Sequence, residues 1–229
     1  MDLTLFEKRV GIKFKDQSVL KTAFTHRSFL NENRRAKTEH NERLEFLGDA
    51  VLELIVTDYL FKNYPEKNEG EMTSYRSALV NAVTLSQVAS DLGMNDFLLL
   101  SRGEAKDTGR ARQVILANTF EAVIGAIFVD LGYEVTERFV TKVLLPLAPR
   151  VISAGKWMDA KSLFQEKAQD IVGVTPSYKT LSEVGPDHDK KFTVGVYLGD
   201  SLVSKGEGKS KQEAEQSAAE RGLMEKKWT

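Results

Sequence analysis

Four acids recur in the stretch HNERLEFLGDAVLEL, where Glu42, Glu45, Asp49 and Glu53 stand at i, i+3, i+7 and i+11. On a helix advancing about 100° per residue they share an arc of roughly 80° and form one acidic stripe. Two readings fit such a stripe. It is either a solvated helix face or a set of carboxylates that enters the interior. Leu44, Leu47, Val51 and Leu54 are expected on the opposite side, with Phe46, Ala50 and Leu52 flanking the acids, which favours burial of the upper part. Carboxylates buried that close together repel and take up protons unless a cation sits among them.

A second segment offers the complement. In VILANTFEAVIGAIFVD the strongly polar residues near the middle are Asn118 and Glu121, one turn apart, with Gly125 another turn on. Hydrogen bonds to neighbouring backbone would satisfy such a pair. The alternative packs this helix on the acidic one, with Gly125 permitting close approach, and makes an oxygen-rich cage suited to Mg²⁺.

Composition narrows the chemistry further. The 229 residues contain no Cys, which removes disulfides, thiol nucleophiles and thiolate metal sites. The three histidines, His26, His40 and His188, lie far apart in sequence, so zinc would need a mostly carboxylate shell and any catalytic metal is expected to be hard and oxygen-bound. With 41% hydrophobic and 28% charged residues the chain reads as a soluble globular protein. The N-terminal MDLTLFEKRVGIKF lacks the features of a secretory signal. Val114 to Leu131, the stretch nearest to a membrane span, carries Asn118, Glu121 and Asp130. A cytoplasmic protein without a membrane partner is therefore expected. The net charge of −1, from 32 Lys and Arg against 33 Asp and Glu, gives no overall attraction to nucleic acid, so any such partner must be held by local clusters.

The elements that must position these residues change character along the chain. Up to residue 148 the periodicity predicts helices: one through Phe46, Leu47, Val51, Leu54 and Ile55, one over Glu71 to Leu92 stopped by Gly93, one over Val114 to Leu131 and a last one near Val135 to Leu147. Residues 149–157, opening at Pro149, read as a linker. Beyond it, Asp159 to Ile171 is expected to be helical, Phe192 to Leu198 alternates with a period of two, and Gly199-Asp200-Ser201 turns into Leu202 to Gly206. A final helix opens with Ser210 and Glu213 as a capping box and buries Ala214, Ala218 and Leu223. The expectation is an all-α domain over 1–148 followed by an α+β domain of order α-β-β-β-α over 158–229.

ERLEFLGDAVL at 42–52 resembles the signature of the ribonuclease III family, and the likeness continues through THRS at 25–28, NEGEMTSYRSALV at 68–80 and ILANTFEAVIGAIFVDLGYE at 115–134. SLFQEKAQ at 162–169, GPDHDKKF at 185–192 and GEGKSKQEAEQSAAE at 206–220 are similar to the double-stranded-RNA-binding domain. Together they cover nearly the whole chain, in the order of the bacterial enzyme. The resemblance implies a homodimeric, Mg²⁺-dependent endonuclease that hydrolyses phosphodiester bonds of double-stranded RNA to 5′-phosphate and 3′-hydroxyl ends in rRNA and mRNA processing. Mn²⁺ is expected to substitute and no organic cofactor is expected. The resemblance implies a metal cage at the positions of Glu45, Asp49 and Glu121, with Glu42 and Glu69 as outer support; from the chemistry of these residues Glu45, Asn118 and Glu121 are expected as metal ligands and Asp49 and Glu121 as catalytic. Position 118, normally Asp in the family, is Asn here, and this departure leaves one negative charge fewer.

A-form RNA hides its bases in a deep major groove, so a duplex reader works through shape, 2′-hydroxyls and phosphates. Gln165 and Glu166 on the first helix of the second domain suit minor-groove edges and 2′-hydroxyls, and His188 in its loop suits the next minor groove. Lys209, Lys211 and Gln212 at the start of the last helix suit phosphate, where the helix dipole adds to the lysine charge. Because residues 158–229 hold 11 basic and 12 acidic side chains, a basic face must be segregated from an acidic one. Phe29, Leu30, Tyr75 and Leu98 to Leu100 are candidates for the dimer interface. The rival reading is a binding protein of the same fold, its cleavage impaired by Asn118.

Overall fold

Short polar side chains start the helices of the first unit. Asp2 and Asp16 accept hydrogen bonds from the backbone N–H of Thr4 (3.0 Å) and Ser18 (2.8 Å) and so cap α1 (Leu3–Val10) and α2 (Gln17–Ala23). α3 (Arg27–Glu32) is capped by His26, and α4 spans Glu42–Asn63. The computed structural model describes residues 2–36, 38–153, 160–186 and 190–228. Two compact units are present, residues 1–157 and 158–229.

The long helix expected over Glu71 to Leu92 is two helices, α5 (Glu69–Val80) and α6 (Ala82–Asp91). Asn81 breaks it. Its backbone is extended, its side-chain oxygen accepts from Thr84 N–H (2.9 Å), and its amide donates to the Ala78 carbonyl (2.9 Å), so one side chain satisfies groups at both helix ends. α7 (Arg102–Lys106) and α8 (Arg110–Leu131) follow. α8 is the axis of the unit, with α2, α4, α6 and α9 (Tyr133–Val143) packed against it. It is long and apolar enough to cross a membrane by length and composition, yet eleven of its residues are buried among these neighbours. Phe6, Phe24 and Phe97 close one end of the core, with ring centroids 5.0 to 5.6 Å apart.

The expected linker begins as structure. After a 3-10 turn at Leu145–Leu147, residues Ala148–Ser153 form α10. Pro149 lies in its first turn, where no backbone donor is missed, and Val151 and Ile152 pack on the core. Residues 154–157 lie outside the described residues.

The second unit runs α11 (Ala160–Val172), β1 (Ser177–Val184), β2 (Lys191–Leu198), β3 (Ser201–Gly208) and α12 (Lys211–Lys226). Its sheet is antiparallel in the order β1-β2-β3. Ala160 and Phe164 of α11, Val196 of β2, and Ala218, Ala219 and Leu223 of α12 make its core. The alanines on α12 let the helix lie close to the sheet.

Candidate active site

The site is set by a backbone-to-backbone crossing of α4 and α8. A Cβ on Gly48 would overlap the Glu121 carbonyl oxygen, and one on Gly125 would overlap the Leu44 carbonyl oxygen. No side chain fits between the two helices there. Two glycines directly opposite each other across the contact therefore bring the acids of α4 level with the polar middle of α8.

Glu121 is half-buried in the apolar run of α8, and its carboxyl is pushed up to about 8. Burial is the main cause, followed by the charges of Asp49, Glu45 and Glu53. Glu45, also half-buried, is raised by burial first and then by Glu42. The Asn118 side chain opposes this by hydrogen bonding to it, and Asp49 adds to the rise. Asp49 and Glu53 are exposed at the mouth. Every charge that perturbs Glu121 is thus a carboxylate.

Glu42 is exposed at the rim, 3.3 Å from the Arg27 guanidinium and 3.7 Å from Nδ1 of His40. The structure does not bring Glu69 to the group: it is exposed in the first turn of α5 and does not act on Glu45 or Glu121. Nor do the acids close into the expected cage. Among the described residues no three His, Cys, Asp or Glu groups stand at metal-binding spacing. The donor set nevertheless suits a hard divalent ion, since it is all oxygen and, among the described residues, only acids act on Glu121. Glu53 joins this group although the sequence reading left it out of the assigned site. Its position one turn beyond Asp49 was the available signal.

In the second unit Gln165 and Glu166 are exposed on α11. Lys211 and Gln212 are exposed in the first turn of α12, with the Lys211 ammonium 5.8 Å from the Phe192 ring centre. Ser210 caps the helix by accepting from Glu213 N–H, while the Glu213 carboxylate accepts from Lys209 N–H (2.7 Å), one residue before the cap. His188 lies outside the described residues. Lys190 and Lys191 each pair with an acid, Glu183 at 2.9 Å and Glu207 at 3.6 Å. Lys209 and Lys211 are exposed at the start of α12.

Two surface expectations are corrected. Tyr75 is 2% exposed and stacks edge-on against Tyr64, so it belongs to the core. Phe46 and Leu54, expected to be covered, are exposed, Phe46 by 82%. Phe29, Leu30 and Leu98 to Leu100 are half-buried.

Comparison with known proteins decides the family. Residues 16–147 match the model described as Ribonuclease-III-like, and residues 160–225 match the double-stranded RNA binding motif. The chain belongs to the ribonuclease III family. Ribonuclease 3 of Borreliella afzelii is 43% identical over 221 residues, spanning 96% of this chain and 90% of that protein. Ribonuclease 3 of Pelotomaculum thermopropionicum is 45% identical over 222 residues, 97% and 92% of the two chains. The solved nuclease domain of ribonuclease III from Campylobacter jejuni is 36% identical with a TM-score of 0.59, covering 65% of this chain and 99% of that one. This ribonuclease III is accordingly a double-stranded-RNA-specific endoribonuclease, with an N-terminal helical nuclease domain and a C-terminal RNA-binding domain. The rival reading as a cleavage-impaired binding protein finds no support in these relatives.

Proposed function

We propose that this ribonuclease III cuts duplex RNA at the crossing of α4 and α8, using Mg²⁺ or Mn²⁺ held by Glu45, Asn118 and Glu121. The observation that carries the reading is Glu121, half-buried among Asp49, Glu45 and Glu53 with no basic side chain acting on it. Divalent ions bound there supply a water of lowered pKa and a clamp on the phosphate oxygens. Glu121 must lose its proton to bind them. Asn118 presents its carbonyl oxygen to the ions and its amide to Glu45, which keeps that carboxylate charged and in place. Asp49, exposed at the mouth, accepts a hydrogen bond from the attacking water and orients it toward the phosphate. Glu42, paired with the Arg27 guanidinium at the rim, is the outer carboxylate of the group. The products are 5′-phosphate and 3′-hydroxyl ends.

Gln165, Glu166, His188, Lys209, Lys211 and Gln212 hold the duplex by its minor grooves and phosphates. A duplex carries local two-fold axes relating its strands, and a homodimer with matching symmetry places one site on each strand. Phe46, Leu54 and Phe61 support this, because they are exposed within an arc of about 80° on α4. An apolar stripe of that kind suits a second copy of the same face. The setting is cytoplasmic processing of rRNA and mRNA.

The test is incubation with a long RNA duplex and Mg²⁺, followed by electrophoresis and sedimentation of the free protein. Short duplex products that disappear with chelator, from a dimeric protein, are expected. Intact RNA at every Mg²⁺ concentration would refute the assignment.

A further inference from the structure

We infer that Asn41 is a positioning residue for Glu45, tying the start of α4 to the end of α2 so that this carboxylate stands level with Glu121. The inference rests on the metal-site reading above and deepens it. Asn41 immediately precedes α4 and is 2% exposed. An asparagine at that position commonly caps its own helix, as Asn68 and Asn81 do for α5 and α6. Asn41 does not: its backbone is helical, and its side chain makes no capping bond to α4. Its amide instead donates to the carbonyl of Ala23 (3.3 Å), the last residue of α2, and its own N–H donates to the carbonyl of Thr25 (2.9 Å). One buried side chain is thus spent on a carbonyl that the end of another helix leaves open.

The segment that receives Asn41 is itself held from the other side. Leu99 N–H donates to the Phe24 carbonyl (2.8 Å), His26 N–H donates to the Leu99 carbonyl (3.0 Å), and Ser28 Oγ accepts from Ser101 N–H (3.1 Å). This gives the THRS stretch at 25–28 a task as a fixed abutment for α4. The buried residues of α4 are Gly48, Val51, Leu52, Ile55, Val56 and Leu60, all at or beyond the glycine crossing. The turns before the crossing, where Glu45 stands, have no buried residue of their own, and Asn41 supplies the buried anchor on that side. The Asn41 carbonyl also accepts from Glu45 N–H (2.9 Å), so a shift of Asn41 passes straight to the backbone of Glu45. Asp49, beyond Gly48, is held by the core instead.

The experiment is Mn²⁺ binding to the full-length protein without RNA, read by the electron paramagnetic resonance of free Mn²⁺, beside thermal melts in chelator. Binding is read well below the melting temperature of each variant. Asn41→Ser is the main variant, because serine starts a helix as well as asparagine does but is too short to reach Ala23. It is expected to weaken Mn²⁺ binding about tenfold, as the loss of a group that orients a ligand does. Leu60→Ala, a change in the core of the far half of α4, is expected to lower the melting temperature and leave Mn²⁺ affinity as in the parent. Because the effect runs through Glu45, Asn41→Ser should cost little further when added to Glu45→Gln. If Asn41→Ser binds Mn²⁺ like the parent, Asn41 serves the fold alone and the inference falls. An equal loss in Leu60→Ala, or full additivity with Glu45→Gln, also overturns it, since any loosening of α4 would then act alike. If Glu45→Gln itself binds Mn²⁺ like the parent, the metal-site reading fails.

Discussion

In the helical unit like charges are crowded: Glu45 and Glu121 are half-buried, Asp49 and Glu53 are exposed beside them on the same stripe, and the two glycines at the helix crossing let the backbones of α4 and α8 touch. In the second unit Lys209, Lys211 and Gln212 stand in solvent around the start of α12. The first arrangement suits a small ion of high charge density, which keeps part of its water when bound. The second is built for a polyanion whose phosphates keep much of theirs. Single changes should therefore have large and specific effects in the first unit, and graded, salt-dependent ones in the second.

The largest effect is expected from Glu121→Gln. Cleavage should fall by orders of magnitude while duplex binding persists, because the substitution removes the deepest anionic ligand and leaves the second unit untouched. A gel-shift assay beside a cleavage assay checks both halves of that statement. The same variant sharpens the electrostatic argument. With its carboxyl pushed up to about 8, Glu121 binds a proton in the folded protein that the unfolded chain has released between about pH 4.5 and 8. Stability in chelator should therefore decrease as pH rises through that window. Thermal melts from pH 5 to 8.5 should show the parent's melting temperature falling more steeply than that of Glu121→Gln, and parallel curves would remove Glu121 from the cluster.

Next in size is Gly48→Ala. The added methyl meets the carbonyl of Glu121 rather than a flexible side chain, so the helices must separate. A cost of about 1–3 kcal/mol is expected from overpacking alone, and the carboxylates of α4 would move away from Glu121. Denaturant melts measure the first effect and Mn²⁺ binding the second. Unchanged metal affinity in a destabilised protein would show that the crossing supports the fold but does not set the site.

Much of this contrast is legible in the sequence. Helical spacing puts Glu45 and Asp49 on one stripe, and the polar pair Asn118 and Glu121 stands out in an apolar run. What periodicity does not reveal is which apolar residues meet the core. Phe46 and Leu54 fit a buried helical pattern and are exposed, because the pattern records amphipathicity and not the identity of the covering surface. Asn81 gave no sign as a break, since an Asn within a helical run is read as tolerated until its side chain is seen bonding both ends. β1 was placed only by the order of its domain. Its stretch SYKTLSEV has a nearly fully exposed face pattern and so shows none of the period-two alternation that marks β2. Glu69 comes from a separate stretch of the resemblance; it opens a different helix, and its charge does not act on Glu45 or Glu121.

A smaller, graded effect is expected in the second unit. Lys209→Ala with Lys211→Ala should weaken duplex binding and lower the slope of log affinity against log salt by about 1–2, as expected for the loss of one or two phosphate contacts. Cleavage at saturating RNA should change far less. Binding titrations at several salt concentrations decide the matter, and an unaltered slope would move the phosphate contact away from α12.

The smallest expected effect, and the most discriminating, belongs to Asn118→Asp. The new carboxylate adds charge where Asn offers only a carbonyl oxygen, so half-maximal cleavage should need less Mg²⁺. In chelator the same charge joins Glu45, Asp49 and Glu121 without a cation, and it also replaces the amide that hydrogen-bonds Glu45. The melting temperature should therefore fall. Metal affinity and metal-free stability thus move in opposite directions, which a simple packing change would not produce. Superimposed Mg²⁺ titrations of parent and Asn118→Asp would show that position 118 does not face the metal at all.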